Sequence, residues 1–142
     1  MDFQKLFDGV SASMRDARKP YHLSLGALRD LAAEAPEGTL FVVQDDDGGI
    51  SGGIGNEHSY RGYYDDLALE RISDPTTAAD VLAMCERALS ETYEGYKGGD
   101  FRYDEDTPLW LAFYGITGLA IVGVSKPADG VIGLVTKVVD AW

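Results

Sequence analysis

Two stretches of this chain combine aromatic rings with cations in a way that suits the binding of a nucleotide. The first is Asn56-Glu57-His58-Ser59-Tyr60-Arg61-Gly62-Tyr63-Tyr64-Asp65-Asp66-Leu67, behind a glycine-rich run, and the second is Tyr93-Glu94-Gly95-Tyr96-Lys97-Gly98-Gly99-Asp100-Phe101-Arg102-Tyr103. Aromatic faces stack on bases at about 1–3 kcal/mol each, and arginine or lysine pairs with phosphate oxygens. In an extended chain, alternation puts Tyr60 and Tyr64 on one side and Arg61 and Tyr63 on the other, flanking a glycine that lets a ligand approach the backbone. The candidate ligand-binding residues are therefore His58, Tyr60, Arg61, Tyr63, Tyr64, Tyr96, Lys97, Arg102 and Tyr103. A second interpretation stays open: these tyrosines are half-buried strand residues, with Arg61 and Lys97 paired to neighbouring carboxylates.

No motif of restrictive spacing names a reaction. Gly49-Ile50-Ser51-Gly52-Gly53 fits the letters of a G-x-S-x-G nucleophile elbow, but more glycine follows instead of a helix, and the one later histidine is His58. The run also lacks the lysine of a phosphate-cradling loop. Asp45-Asp46-Asp47-Gly48 has no register of a calcium loop and is read as a solvated hairpin turn. Asp104-Glu105-Asp106 is read as an exposed acidic loop. Two histidines and one cysteine, far apart, give a zinc site no support, so no metal, cofactor or catalytic residue is assigned. Cys85 shares a helical face with Leu82 and Leu89 and is expected to be a small, inert core residue.

Composition narrows the function classes. The 142 residues suffice for one domain with a hydrophobic core, and 45% hydrophobic with 25% charged residues is the balance of a folded soluble protein. A net charge of -12 repels nucleic-acid backbones, which argues against direct nucleic-acid binding. No apolar run reaches the ~18 residues a membrane span needs. The first residues lack a secretory signal and the single cysteine cannot close an internal disulfide, so a cytoplasmic location is expected.

The elements that must position the two stretches follow from periodicity. Phe3, Leu6, Phe7, Val10 and Met14 predict an amphipathic helix stopped at Pro20, and Ser24 caps a second helix with Leu25, Leu28, Leu31, Ala32 and Ala35 on its apolar face. Thr39–Gln44 predicts the first core strand, Ile50–Gly55 a loop or weak edge strand, and Tyr63–Arg71 a strand with Leu67 and Leu69 on one side. Thr76 to Tyr93 is the best-marked helix, with proline in its first turn, an acidic group three residues after a threonine, and an end in Gly95. Strands over Pro108–Tyr114, Leu119–Val124 and Val131–Val139, joined by glycine-containing turns, predict an antiparallel meander.

Ser59-Tyr60-Arg61-Gly62-Tyr63-Tyr64-Asp65-Asp66-Leu67-Ala68 and Tyr93-Glu94-Gly95-Tyr96-Lys97-Gly98-Gly99-Asp100-Phe101, followed by Asp106-Thr107-Pro108-Leu109-Trp110, resemble a family of small uncharacterised proteins carried by tailed bacteriophages. The match covers roughly residues 55 to 124. The resemblance brings no catalytic residues. It implies a role against host defence, through sequestering a nucleotide signal or blocking an effector protein, in the cytoplasm of a bacterial host.

These readings combine into an expectation: an α+β single domain over residues 1–142, with one antiparallel sheet of five or six strands and the amino-terminal helices and one central helix packed on it. The expected function is non-enzymatic binding of a nucleotide-derived signalling molecule by a phage-type counter-defence protein. The alternative is an acidic inhibitor that imitates nucleic acid and binds a basic protein surface of a host defence effector. A further alternative is a hydrolase of the nucleotide signal, for which His58 is the best general base. The expected partners are a small nucleotide-like ligand or a basic host protein, with assembly into a homo-oligomer to enclose the ligand.

Overall fold

The computed structural model of the chain describes residues 22–58, 67–94, 100–112 and 119–138. The predicted first helix lies outside them, as do residues 63–66 of the predicted Tyr63–Arg71 strand. The described chain runs α1 (Leu25–Glu34), β1 (Leu40–Gln44), β2 (Ile50–Ser51), β3 (Gly53–His58), β4 (Leu67–Ile72), β5 (Thr76–Thr77), α2 (Ala78–Ser90), β6 (Tyr93–Glu94), β7 (Asp100–Phe101), β8 (Leu109–Ala112), β9 (Leu119–Ala128) and β10 (Val131–Val138). The α+β class is as expected. The single antiparallel sheet of five or six strands is not: β1 pairs β10 in parallel, β4 pairs β8 in parallel, and the sheet is a mixed one of eight strands in the order β2-β1-β10-β9-β8-β4-β3, with β5 also on β1. Alternating burial is the same in parallel and antiparallel strands, so the residue pattern carried no sign of these pairings.

The first helix starts at Ser24 as the sequence predicts, while the central helix starts at Ala78 instead of Thr76. Ser24 Oγ accepts from Ala27 N at 3.2 Å, and Thr77 Oγ1 accepts from Asp80 N at 3.2 Å. The central helix is shorter than Thr76 to Tyr93, because Thr76 belongs to the sheet: its hydroxyl donates to Ile54 O at 2.6 Å and accepts from Ile54 N at 2.8 Å. At the other end Glu91 caps the helix, its N–H donating to Arg87 O, well before Gly95. The meander of β8, β9 and β10 is present, with the β9–β10 turn at Gly130, whose φ of 72° suits glycine.

β2 and β3 lie at the two ends of the sheet order, yet Gly52 alone separates them in the chain. Gly52 O accepts from Val43 N on β1 at 3.1 Å, while β3 pairs β4, so the sheet curls until its ends meet in one stretch. Gly52 has φ of 56°, and a Cβ there would collide with the Ile72 carbonyl oxygen. The glycine-rich run is thus a packing device at this point.

One face of the sheet carries Phe41, Val43, Ile54, Leu67, Leu69, Leu109, Leu111, Ile121, Ile132 and Leu134 into the main core, where α1 adds Leu25, Leu28 and Leu31 and α2 adds Val81, Met84, Cys85 and Ala88. The other face holds a second cluster of Ala68, Trp110 and Ala120, with the His22 ring edge-on to Trp110 at 4.3 Å between centroids. Leu23 is wedged between β8 and β9, its N–H donating to Ile121 O at 2.7 Å and its carbonyl accepting from Leu109 N at 3.0 Å.

Candidate functional site

The strand that leads into the first tyrosine stretch is β3, and the helix that leads into the second is α2. They are bound together by charge. β3 carries one extra residue against β4 between Ile54 and Glu57, so Glu57 stands opposite Leu69, a core residue on the face covered by the helices. Without that bulge, alternation would put Glu57 on the face opposite to Ile54. There it meets Arg87 from the last turn of α2: Nε lies 3.0 and 3.1 Å from the two carboxylate oxygens and Nη2 lies 2.8 Å from Oε1. Nη2 also donates to Asn56 Oδ1 at 3.2 Å. The Glu57 side chain is 11% exposed and that of Arg87 39%. A bidentate pair of this kind is stronger and more specific in direction than a single contact.

The line of contacts continues along the end of α2. Arg102 Nη2 donates to Ser90 O at 3.1 Å, and β6 and β7 form a short ladder pairing Tyr93 with Phe101 and Glu94 with Asp100. A guanidinium at the carbonyl end of a helix is favourable for charge as well as for hydrogen bonding.

His58 is the last residue of β3, opposite Ala68 in the ladder. Tyr60, Arg61, Tyr63, Tyr64, Tyr96 and Lys97 lie outside the described residues. Arg102 is exposed, with its guanidinium on the α2 terminus. Tyr103 departs from the surface stacking role expected of it: it is 4% exposed and belongs to the main core, where its large ring fills volume. Sequence reasoning passed over Glu57 as a partner and missed Arg87. The available signal was a basic residue in the last turn of a well-marked helix.

Other motifs resolve into local structure. Ser51 is in β2 opposite Val43, followed by left-handed Gly52, so no strand-to-helix elbow surrounds it. Asp45–Asp47 form the expected turn, in which Asp45 N donates to Gly49 O at 2.7 Å and Asp47 Oδ1 accepts from Gly49 N at 3.0 Å. Beside that turn, Asp45, Asp46, Asp47, Leu119, Thr136, Lys137 and Val138 line an open cleft of about 480 Å³. Asp104–Asp106 form a turn closed by Thr107, whose Oγ1 accepts from Asp104 N at 2.9 Å. That turn packs on the start of α1, with Gly26 N donating to Glu105 O at 2.9 Å and Arg29 bonding the Glu105 carboxylate. The same carboxylate raises the Arg29 guanidinium above its ordinary pKa. Burial pushes the Cys85 thiol up to about 12. Among the described residues no group of three or more His, Cys, Asp or Glu could hold a metal ion, and no helix is long and apolar enough to cross a membrane.

No protein-family model, curated protein or solved structure matches this chain.

Proposed function

We propose that the chain is a non-enzymatic binding protein that sequesters a nucleotide-derived signalling molecule between its two tyrosine-rich stretches, as a phage-type counter-defence protein would. The observation that carries this reading is the Arg87–Glu57 pair, which holds the end of β3, one residue before His58, against the last turn of the helix that leads to Tyr93. The two stretches are 26 residues apart from Leu67 to Tyr93, and this contact joins the described start of the first to the helix that precedes the second. Aromatic rings supplied from both sides of such a junction suit a base, and cations beside them suit its phosphate.

Mass spectrometry of small molecules released by heating the purified protein tests the reading. One nucleotide released in amounts comparable to the protein is the expected result; release of none from protein purified out of its natural host sinks it. For the ligand so identified, Arg61→Ala is expected to weaken binding roughly ten- to a hundredfold in calorimetric titration with the melting temperature retained. Loss of stability at unchanged affinity would instead make Arg61 a partner of nearby carboxylates.

The second reading, an acidic inhibitor of a basic host surface, is favoured by Asp45, Asp46 and Asp47, which are exposed and have no cation within ion-pair distance among the described residues. A basic protein that co-purifies in place of a nucleotide, and is released by salt, would select it.

A further inference from the structure

We infer that the β9–β10 turn is a site of spontaneous covalent modification, where Asp129 isomerises to isoaspartate through a succinimide formed with the amide nitrogen of Gly130. The inference does not depend on the binding reading above. The chain holds three Asp-Gly pairs, Asp8-Gly9, Asp47-Gly48 and Asp129-Gly130, of which the last two are among the described residues. Such a pair suits this chemistry because glycine has no Cβ to keep its nitrogen away from the preceding carboxyl carbon. The two described pairs are both exposed and are held differently. At Asp47-Gly48 both reacting groups are engaged: Gly48 N donates to Asp45 O at 3.0 Å, and Asp47 Oδ1 accepts from Gly49 N at 3.0 Å. At Asp129-Gly130 neither is engaged, since the carboxylate and the Gly130 N–H make no hydrogen bond or ion pair among the described residues. A Cβ built on Gly130 would meet nothing within 4 Å, so the turn has open space in which to rearrange.

The step needs no reagent except water. The Gly130 nitrogen attacks Cγ of the un-ionised Asp129 carboxyl, the new N–Cγ bond closes a five-membered ring, and the amide proton leaves with the carboxyl hydroxyl as one water. Water then reopens the ring. Attack at the original main-chain carbonyl breaks its bond to nitrogen, so the chain now runs through Cβ and Cγ and the old carbonyl carbon becomes a free carboxylate. The connection gains one main-chain atom in a turn of two residues, between Ala128 and Val131, which face each other in the ladder. Gly130 O accepts from Leu40 N at 2.9 Å, and Leu40 pairs with Val131 of β10 and Thr77 of β5. Lengthening the turn displaces that carbonyl at the point where β1 is fastened to both neighbours.

The test is ageing of the full chain for several weeks at mildly acidic to neutral pH, below its melting temperature, once in buffer and once in urea. Isoaspartate is located by fragmentation mass spectrometry of the digested protein and counted by methyl transfer from a protein-isoaspartate methyltransferase. The folded chain is expected to hold several times as much isoaspartate at Asp129 as at Asp47, and the unfolded chain similar amounts at both. Asp129→Glu, whose ring would need six members, is expected to lose most of the folded-state signal, while Asp47→Glu keeps it. The aged form, separated by ion exchange, is expected to melt below the parent. Equal conversion of the two sites in the folded chain, or conversion at Asp47 with none at Asp129, overturns the inference; an aged form that melts with the parent overturns the role given to the Leu40 bond.

Discussion

Where β3 meets α2, Glu57 has 11% of its side chain in solvent and shares both oxygens with Arg87; at the β1–β2 turn, Asp45, Asp46 and Asp47 stand exposed around an open cleft with Lys137 on its wall and no ion pair among the described residues. The two regions hold the same kinds of charge and treat them by opposite rules. A carboxylate withdrawn from water needs a partner of good geometry, since an uncompensated buried charge is costly, whereas an exposed one is served by solvent. Among the described residues most carboxylates are exposed, whereas a bulge has driven Glu57 inward onto a guanidinium.

The largest expected effect comes from breaking the frame that both regions share. Gly52→Ala forces a side chain into the Ile72 carbonyl at a left-handed φ of 56°, so a loss of roughly 2–4 kcal/mol in urea unfolding is expected. A variant as stable as the parent would show that β2 and β3 need not meet as described.

The comparison itself is sharpened by the same change made at each end. Glu57→Gln should cost about 1–2 kcal/mol, reduced from the buried-pair value because Arg87 is partly exposed, while Asp46→Asn should stay within about 0.5 kcal/mol and be neutral or stabilising in a chain this acidic. Equal effects at the two sites would erase the distinction drawn between them. Raising the salt concentration should change the Asp46 pair of proteins more than the Glu57 pair, because exposed charges are screened more strongly.

The smallest effect is confined to alkaline pH. The Cys85 thiol is raised from 9.0 to about 12, chiefly by burial, with Glu57 adding to the shift. A thiol with a raised folded pKa contributes stability that is complete below the unfolded value and is lost as pH climbs through the folded one. Stability should therefore decline between pH 9.0 and about 12 with a steeper slope in the parent than in Cys85→Ala. Under native conditions at neutral pH, a thiol reagent should label Cys85 only at the rate of local opening; rapid labelling would contradict its place in the core.

Much of the local structure was legible in residue order. Ser24 and Thr77 mark helix starts because a hydroxyl satisfies an amide that the helix leaves open, and Leu67 and Leu69 against Ala68 declare the two faces of β4 because side chains alternate. Gly130 marks its turn through its positive φ. Cys85 was placed in the core by helical spacing alone, and it is fully buried.

What the chain order left open are quantities that depend on who sits next to whom across space. Whether β1 runs beside β10, 91 residues away from Leu40 to Val131, is decided by how sheet curvature and helix packing close one core; both partners read as ordinary buried strands. Tyr103 carries the same composition signal as the other tyrosines it was grouped with, and only the enclosing cluster reveals that it fills volume. Arg87 and Glu57 are 30 residues apart, and a one-residue bulge decides which face Glu57 takes. A bulge changes parity without changing composition, so residue types set the charges and caps of this protein, while three-dimensional pairing alone decided which carboxylate would meet which guanidinium.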